Sequence, residues 1–176
     1  MRATSARPAS LTEIDLRAAL ARGHLESHAW AVRCCAGDRE EAEDVLHRAY
    51  VKVLDGEAKF EGKSTFKTWL FAVIRRTARE QARQSWLRVL RLKRWWQTTE
   101  HNEGSTSTDD ERVTKLRKTL HRLSRRQQEV LHLVFYQDLT IQEAAEVLAM
   151  PVGTARTHYE RGKERLRLLL EPAEDR

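Results

Sequence analysis

The sequence predicts an all-α protein made of two small helical domains joined by a flexible linker. Apolar residues recur at helical spacing in block after block. Glycine and proline number only 7 and 3 in 176 residues, too few turn formers for a many-stranded sheet. The helical pattern breaks once, at TTEHNEGSTSTDD, residues 98–110, where turn-forming and polar residues replace the apolar ones. The expected domains are therefore residues 1–96 and 112–176, with 97–111 as the tether. At this size each can bury only a modest core.

Within the first domain, Ile14, Leu20, Leu25, Trp30 and Val32 form a loose stripe on one first helix. The series Ala42, Val45, Leu46, Ala49, Tyr50, Val53, Leu54 follows the steps of an amphipathic helix throughout. A loop from Asp55 to Lys63 contains Gly56 and Gly62. Ser64 can then cap a further helix whose stripe is Phe66, Trp69, Leu70, Val73, Ile74, Thr77 and Ala78. These helices make a small bundle. Beyond the linker, Leu116, Leu120 and Leu123 begin a new stripe; Ser124 with Gln127 makes a capping box ahead of Val130, Leu131 and Val134. Thr140 with Glu143 makes a second, ahead of Ile141, Ala144, Ala145 and Leu148. After Ala149-Met150-Pro151 a last helix starts at the proline, with Val152, Ala155, Tyr159, Gly162 and Leu166 turned inward.

The net charge of +6 points to a polyanionic partner. No stretch approaches the roughly 18 apolar residues of a membrane span, and the opening MRATSARPASLTEID lacks the apolar core of a secretory signal. A cytoplasmic protein without stable membrane insertion is expected. Cys34 and Cys35 are adjacent, poor geometry for an ordinary disulfide and no CxxC metal pair, so reduced, partly buried thiols are expected, with a redox or metal-sensing role as the alternative. His24 and His28 stand at i, i+4 without an evident third ligand and read as surface histidines. No cofactor or metal is called for. The sequence holds no HExxH, GxxxxGK[ST] or GxSxG motif, so an enzyme is not expected.

Two short helices joined by a tight turn, the second densely basic, are the sequence form of a helix-turn-helix. The second helix of such a unit places its N-terminal part in the DNA major groove. With Val152, Ala155 and Tyr159 inward, Arg156, Thr157, Glu160, Arg161 and Lys163 point outward. Arginine can hold guanine by two hydrogen bonds, glutamate can accept from the cytosine amino group, and threonine can serve a base or a phosphate.

At these residues the chain resembles a known family. LTIQEAAEVLAMPVGTARTHYERGKERLR, Leu139 to Arg167, resembles the promoter-reading helix-turn-helix of sigma factors. AEDVLHRAYVKVL, Ala42 to Leu54, resembles their polymerase-binding helix, and FEGKSTFKTWLFAVIRRTARE, Phe60 to Glu80, their promoter-melting segment with its Phe-x-x-Trp-Leu core. The order and the lack of further domains imply the small extracytoplasmic-function group, with a region 2 bundle and a region 4 helix-turn-helix. The resemblance implies core RNA polymerase and promoter DNA as partners, together with an anti-sigma factor that covers the polymerase-facing surfaces.

Carried over residue by residue, the resemblance places core polymerase on Asp44, His47, Arg48, Val51 and Lys52. Asp44 matches the family's acidic position, while His47 and Arg48 replace the more usual glutamine and glutamate. Lys59, Phe60, Lys63 and Ser64 lie in the loop that by resemblance captures an unstacked base of the minus-ten element. Arg75, Arg76, Arg79 and Arg83 follow at spacings that set charge along one side of a helix, where it can track phosphates; Arg76 stands where the family commonly has asparagine. Arg156, Thr157, Glu160, Arg161 and Lys163 face the minus-thirty-five element. Phe66, Trp69 and Leu70 read as core. WLRVLRLKRWW, Trp86 to Trp96, reads as a basic amphipathic helix that extends the bundle, meets a partner or lies on an anionic membrane. Competing readings of the whole chain are a stand-alone helix-turn-helix regulator, which would bind a palindrome without polymerase, and a helical interaction protein of the membrane surface.

Overall fold

A computed structural model describes residues 13–93 and 122–170, and every regular element among them is helical. Contacts divide the chain into two compact units, Met1–Glu100 and His101–Arg176. The predicted linker, Leu116 and Leu120 lie outside the described residues.

The first unit contains α1 (Glu13–Arg22), α2 (His24–Cys34), α3 (Arg39–Leu54) and α4 (Phe66–Lys93). The single first helix expected from the loose stripe is two helices that part at Gly23. Leu25, assigned to that stripe, is 83% exposed, because the buried face of α2 is made by Ser27, Trp30, Ala31 and Cys34. Asp38 caps α3, its Oδ1 accepting from the Glu41 N–H at 3.0 Å. Of the predicted inner face of α3, Ala42, Val45, Leu46, Ala49 and Val53 are buried, while Tyr50 and Leu54 are partly covered.

α4 packs on both α2 and α3, so it buries a wider arc than one stripe. Phe71, absent from the predicted series, is therefore as buried as Leu70 and Ile74. Its ring stacks on Trp30 with centroids 5.9 Å apart, and the indole Nε1 donates to the Phe71 carbonyl at 3.0 Å. That bond satisfies the one polar atom of a fully buried tryptophan. The cap of α4 is Thr65 and not Ser64. Thr65 Oγ1 accepts from the Thr68 N–H at 3.1 Å, whereas the Ser64 hydroxyl lies 3.4 Å from the Thr65 carbonyl. Cys34 and Cys35 are buried at the end of α2.

The second unit contains α5 (Arg125–Leu131), a π-helical turn (His132–Tyr136), α6 (Ile141–Leu148) and α7 (Val152–Leu170). Both predicted capping boxes form. The Gln127 N–H donates to Ser124 Oγ at 3.3 Å and the Ser124 N–H to Gln127 Oε1 at 2.9 Å. The Glu143 N–H donates to Thr140 Oγ1 at 3.2 Å and the Thr140 N–H to Glu143 Oε2 at 2.9 Å. Glu129, which periodicity did not single out, is buried and held by Arg125 at 3.3 Å and Arg126 at 3.1 Å.

Gly162 lets α7 approach α5 closely. A Cβ there would meet Leu131 Cδ1 at 2.9 Å and Gln127 Cβ at 3.3 Å.

Two substitutions test this packing. Trp30→Ala is expected to destabilise the first unit by about 3–5 kcal/mol, as loss of a buried aromatic does, measured by denaturant unfolding followed by circular dichroism. Gly162→Val is expected to cost about 1–3 kcal/mol by overpacking against Leu131 and Gln127, measured in the same way; an unchanged midpoint would refute the close approach.

Candidate polymerase and promoter DNA interfaces

The outer face of α3 follows from its inner one. With Val45, Leu46, Ala49 and Val53 facing the core, Asp44, His47, Arg48 and Val51 are exposed, and Val51 adds an exposed apolar side chain to a polar surface. Lys52, at the rim of this face, reaches across to α4. Its Nζ lies 2.6 Å from Glu80 Oε2, and Glu80 Oε1 accepts from Arg76 Nε at 3.1 Å. One carboxylate thus ties a residue predicted to bind polymerase to one predicted to bind DNA. The hydrogen bond from Lys52 is the main reason the Glu80 carboxyl titrates below the usual range, with partial burial opposing and Arg76 assisting. Sequence reasoning missed Glu80, whose partner lies 28 positions earlier.

In the loop before α4, Lys59 and Lys63 are exposed, and Phe60 and Ser64 are partly covered. Gly62, at φ 68°, supplies a left-handed turn that side chains disfavour. Phe60 is not alone: its ring centroid lies 5.6 Å from Phe66 and 5.3 Å from Trp69. The three rings form a half-exposed cluster, while Leu70 alone of the expected core trio is buried. Lys63 pairs with Glu61.

The basic row on α4 is narrower than predicted. Arg76, Arg79 and Arg83 are exposed, at i, i+3 and i+7 on one stripe. Arg75 is 5% exposed, since its bearing is that of Phe71 and Ala78, which face the bundle. Its charge therefore does not belong to the open row. Trp86 is 62% exposed, and the α4 backbone runs on to Lys93; Arg94, Trp95 and Trp96 lie outside the described residues.

In the second unit, α6 and α7 are joined by Ala149 at φ 49°, a left-handed residue that ends one helix and turns the chain for the next. The Pro151 carbonyl accepts from the N–H groups of Thr154 and Ala155, each at 3.0 Å. Ala155 and Gly162 are buried, Tyr159 is half-buried, and Arg156, Thr157, Glu160, Arg161 and Lys163 are exposed. Val152, assigned inward, is exposed at the first position of α7. The Thr157 hydroxyl donates to the Gly153 carbonyl at 2.9 Å. Glu160 pairs with Lys163 at 3.3 Å.

Among the described residues, no group of three histidine, cysteine or acidic side chains is placed to hold a metal. His24 and His28 have ring centroids 6.4 Å apart, and Tyr50 Oη lies 3.4 Å from His24 Nδ1. Burial pushes the Tyr50 hydroxyl above its ordinary range, partly offset by a hydrogen bond with Ser27. No described helix is long and apolar enough to cross a membrane.

Two family models match: Sigma-70 region 2 over residues 21–88 and Sigma-70, region 4 over residues 114–166. The ECF RNA polymerase sigma factor SigX of Bacillus subtilis is 30% identical, over 76% of this chain and 73% of that protein. This chain belongs to the sigma-70 family. It is a sigma factor of the extracytoplasmic-function kind, an alternative to the primary one, and sigma factors are transcription initiation factors. The ECF sigma factor SigC of Mycobacterium tuberculosis is 24% identical over 98% of this chain and 97% of its own. In fold, it is similar to the sigma factor RpoE of Bartonella quintana, solved with the anti-sigma factor NepR, at a TM-score of 0.69 and 22% identity over 90% of this chain and 98% of that one. CnrH, solved with the cytosolic domain of CnrY, gives a TM-score of 0.60 at 21% identity, over 90% of this chain and 89% of that one.

The Glu80 clasp gives this sigma factor a titration signature. Because its folded carboxyl is depressed, the clasp stabilises the first unit above the ordinary glutamate range and is lost as pH falls through the folded value. Glu80→Gln is expected to lower stability at neutral pH and to flatten its fall in acid, read from denaturation midpoints between pH 7 and about pH 3; parallel curves for the two proteins would exclude the clasp.

Proposed function

We propose that this sigma factor binds core RNA polymerase through the outer face of α3 and reads a promoter at two places. Residues 1–96 serve as the polymerase-binding and minus-ten domain, 97–111 as the tether, and 112–176 as the minus-thirty-five domain. Asp44, His47, Arg48, Val51 and Lys52 meet polymerase. Lys59, Phe60, Lys63 and Ser64 receive the unstacked base, with Arg76 and Arg79 on the phosphates. The half-exposed cluster of Phe60, Phe66 and Trp69 supports that role, since bases stack on aromatic faces. On α7, Arg156, Thr157, Glu160, Arg161 and Lys163 face the duplex.

The observation that carries this reading is the exposed side of α7, set behind a capped α6 and a left-handed Ala149 and joined in one chain to the polar face of α3. The protein works in the cytoplasm, makes no phosphodiester bond itself and needs no cofactor. RpoE was solved with the anti-sigma factor NepR, which supports a similar anti-sigma factor here.

The test is transcription from a cognate promoter by core polymerase with and without the purified chain. Start-site-specific RNA is expected only with it, and no association with core polymerase would remove the proposal. Arg156→Ala and Glu160→Ala are each expected to cost about 1–3 kcal/mol at a particular base pair, and Lys163→Ala to weaken all sequences alike. Binding to a panel of substituted minus-thirty-five elements reads this, and a uniform loss from all three would refute base reading.

A further inference from the structure

Phe135 and Tyr136 form an aromatic surface that core packing does not explain, at 59% and 75% exposure on the π-helical turn. Their place follows from the packing of α5 on α7. Leu131 lies beneath Gly162. One turn further along, Phe135 meets Tyr159, three residues back on α7, with ring centroids 5.6 Å apart and planes at 23°. Tyr159 in turn carries Lys163, whose ammonium stands 5.3 Å from the ring centroid while pairing with Glu160 at 3.3 Å. Four side chains thus make one continuous row, from an exposed phenylalanine to two groups on the outward face of α7.

We propose that Phe135 and Tyr159 are positioning residues that hold Lys163 for a DNA phosphate, an inference that rests on the reading of α7 as the duplex-facing helix. A lysine side chain has much rotamer freedom to lose on binding. An aromatic face beneath the ammonium removes part of that freedom in advance. Tyr159 is only half-buried, and the offset stack with Phe135 fixes its ring plane. The ring also gives Lys163 a second anchor, so that the cation stays over the helix when Glu160 turns to a base edge. A purely structural Phe135 would alter stability alone. A positioning one alters the number of phosphates neutralised, and that number sets the slope of log affinity against log salt.

The experiment uses holoenzyme assembled from the full chain and core polymerase on a promoter fragment, with affinity measured across a salt series and thermal unfolding of each variant as the folding control. Lys163→Ala is expected to reduce the slope by about 0.9. Phe135→Ala and Tyr159→Leu are expected to reproduce a large part of that reduction and to weaken binding about 2- to 10-fold, the reach of one stack and one exposed cation–π contact. Phe135→Tyr, which keeps the ring, restores both, and Phe135→Ala adds nothing to Lys163→Ala. A wild-type slope for Phe135→Ala and Phe135→Leu beside a reduced one for Lys163→Ala overturns the inference alone. A wild-type slope for Lys163→Ala overturns the phosphate contact and the inference with it. Failure of the unaltered chain to form holoenzyme would instead strike the functional reading.

Discussion

A helix in a small domain has one side for the core and one for everything else, and this constraint governs every surface described above. Neither unit is large enough to bury a helix all round. Filling the core with Val45, Leu46, Ala49 and Val53 of α3 therefore decides which residues are left to meet a partner, and the burial of Ala155 and Gly162 does the same for α7. Function is the remainder once packing has been satisfied. That is why a change that only rotates a helix, with no charged residue replaced, would rearrange the interface that helix carries.

The regular parts of this plan were legible in the residues. Helical class, the inner face of α3, both capping boxes and the outward set on α7 follow from periodicity and local hydrogen bonding, which act over three or four positions. Most of what escaped depends on longer reach or on a second neighbour. Phe71 is core because α4 meets two helices at once, and Arg75 is buried because it shares that broadened face. A single-stripe pattern counts neither. Glu80 was missed because its partner on α3 lies 28 positions earlier, and Glu129 because periodicity ranks apolar residues and not charges. The cap of α4 moved by one residue because Ser64 and Thr65 offer nearly the same chemistry, and only backbone geometry separates them. The break at Gly23 was hidden by a stripe too loose to fix a helix axis.

The ionic contacts differ in kind. Glu164 with Arg167 and Glu160 with Lys163 are exposed helix pairs, and such pairs contribute little to stability. Glu129 is another matter: buried beside two arginines, it would be an uncompensated charge if both contacts were lost, which is costly in a low-dielectric setting. Glu80 lies between these cases. Its carboxylate spans α3 and α4, so its value lies less in energy than in fixing the register of one outer face against the other.

The π-helical turn at His132–Tyr136 holds one residue more per turn than an α-helix would. Losing one residue there would close it to the ordinary helical repeat and change the bearing on which Phe135 meets Tyr159. Among descendants of this gene, the length of that turn should thus be guarded together with its buried Leu133.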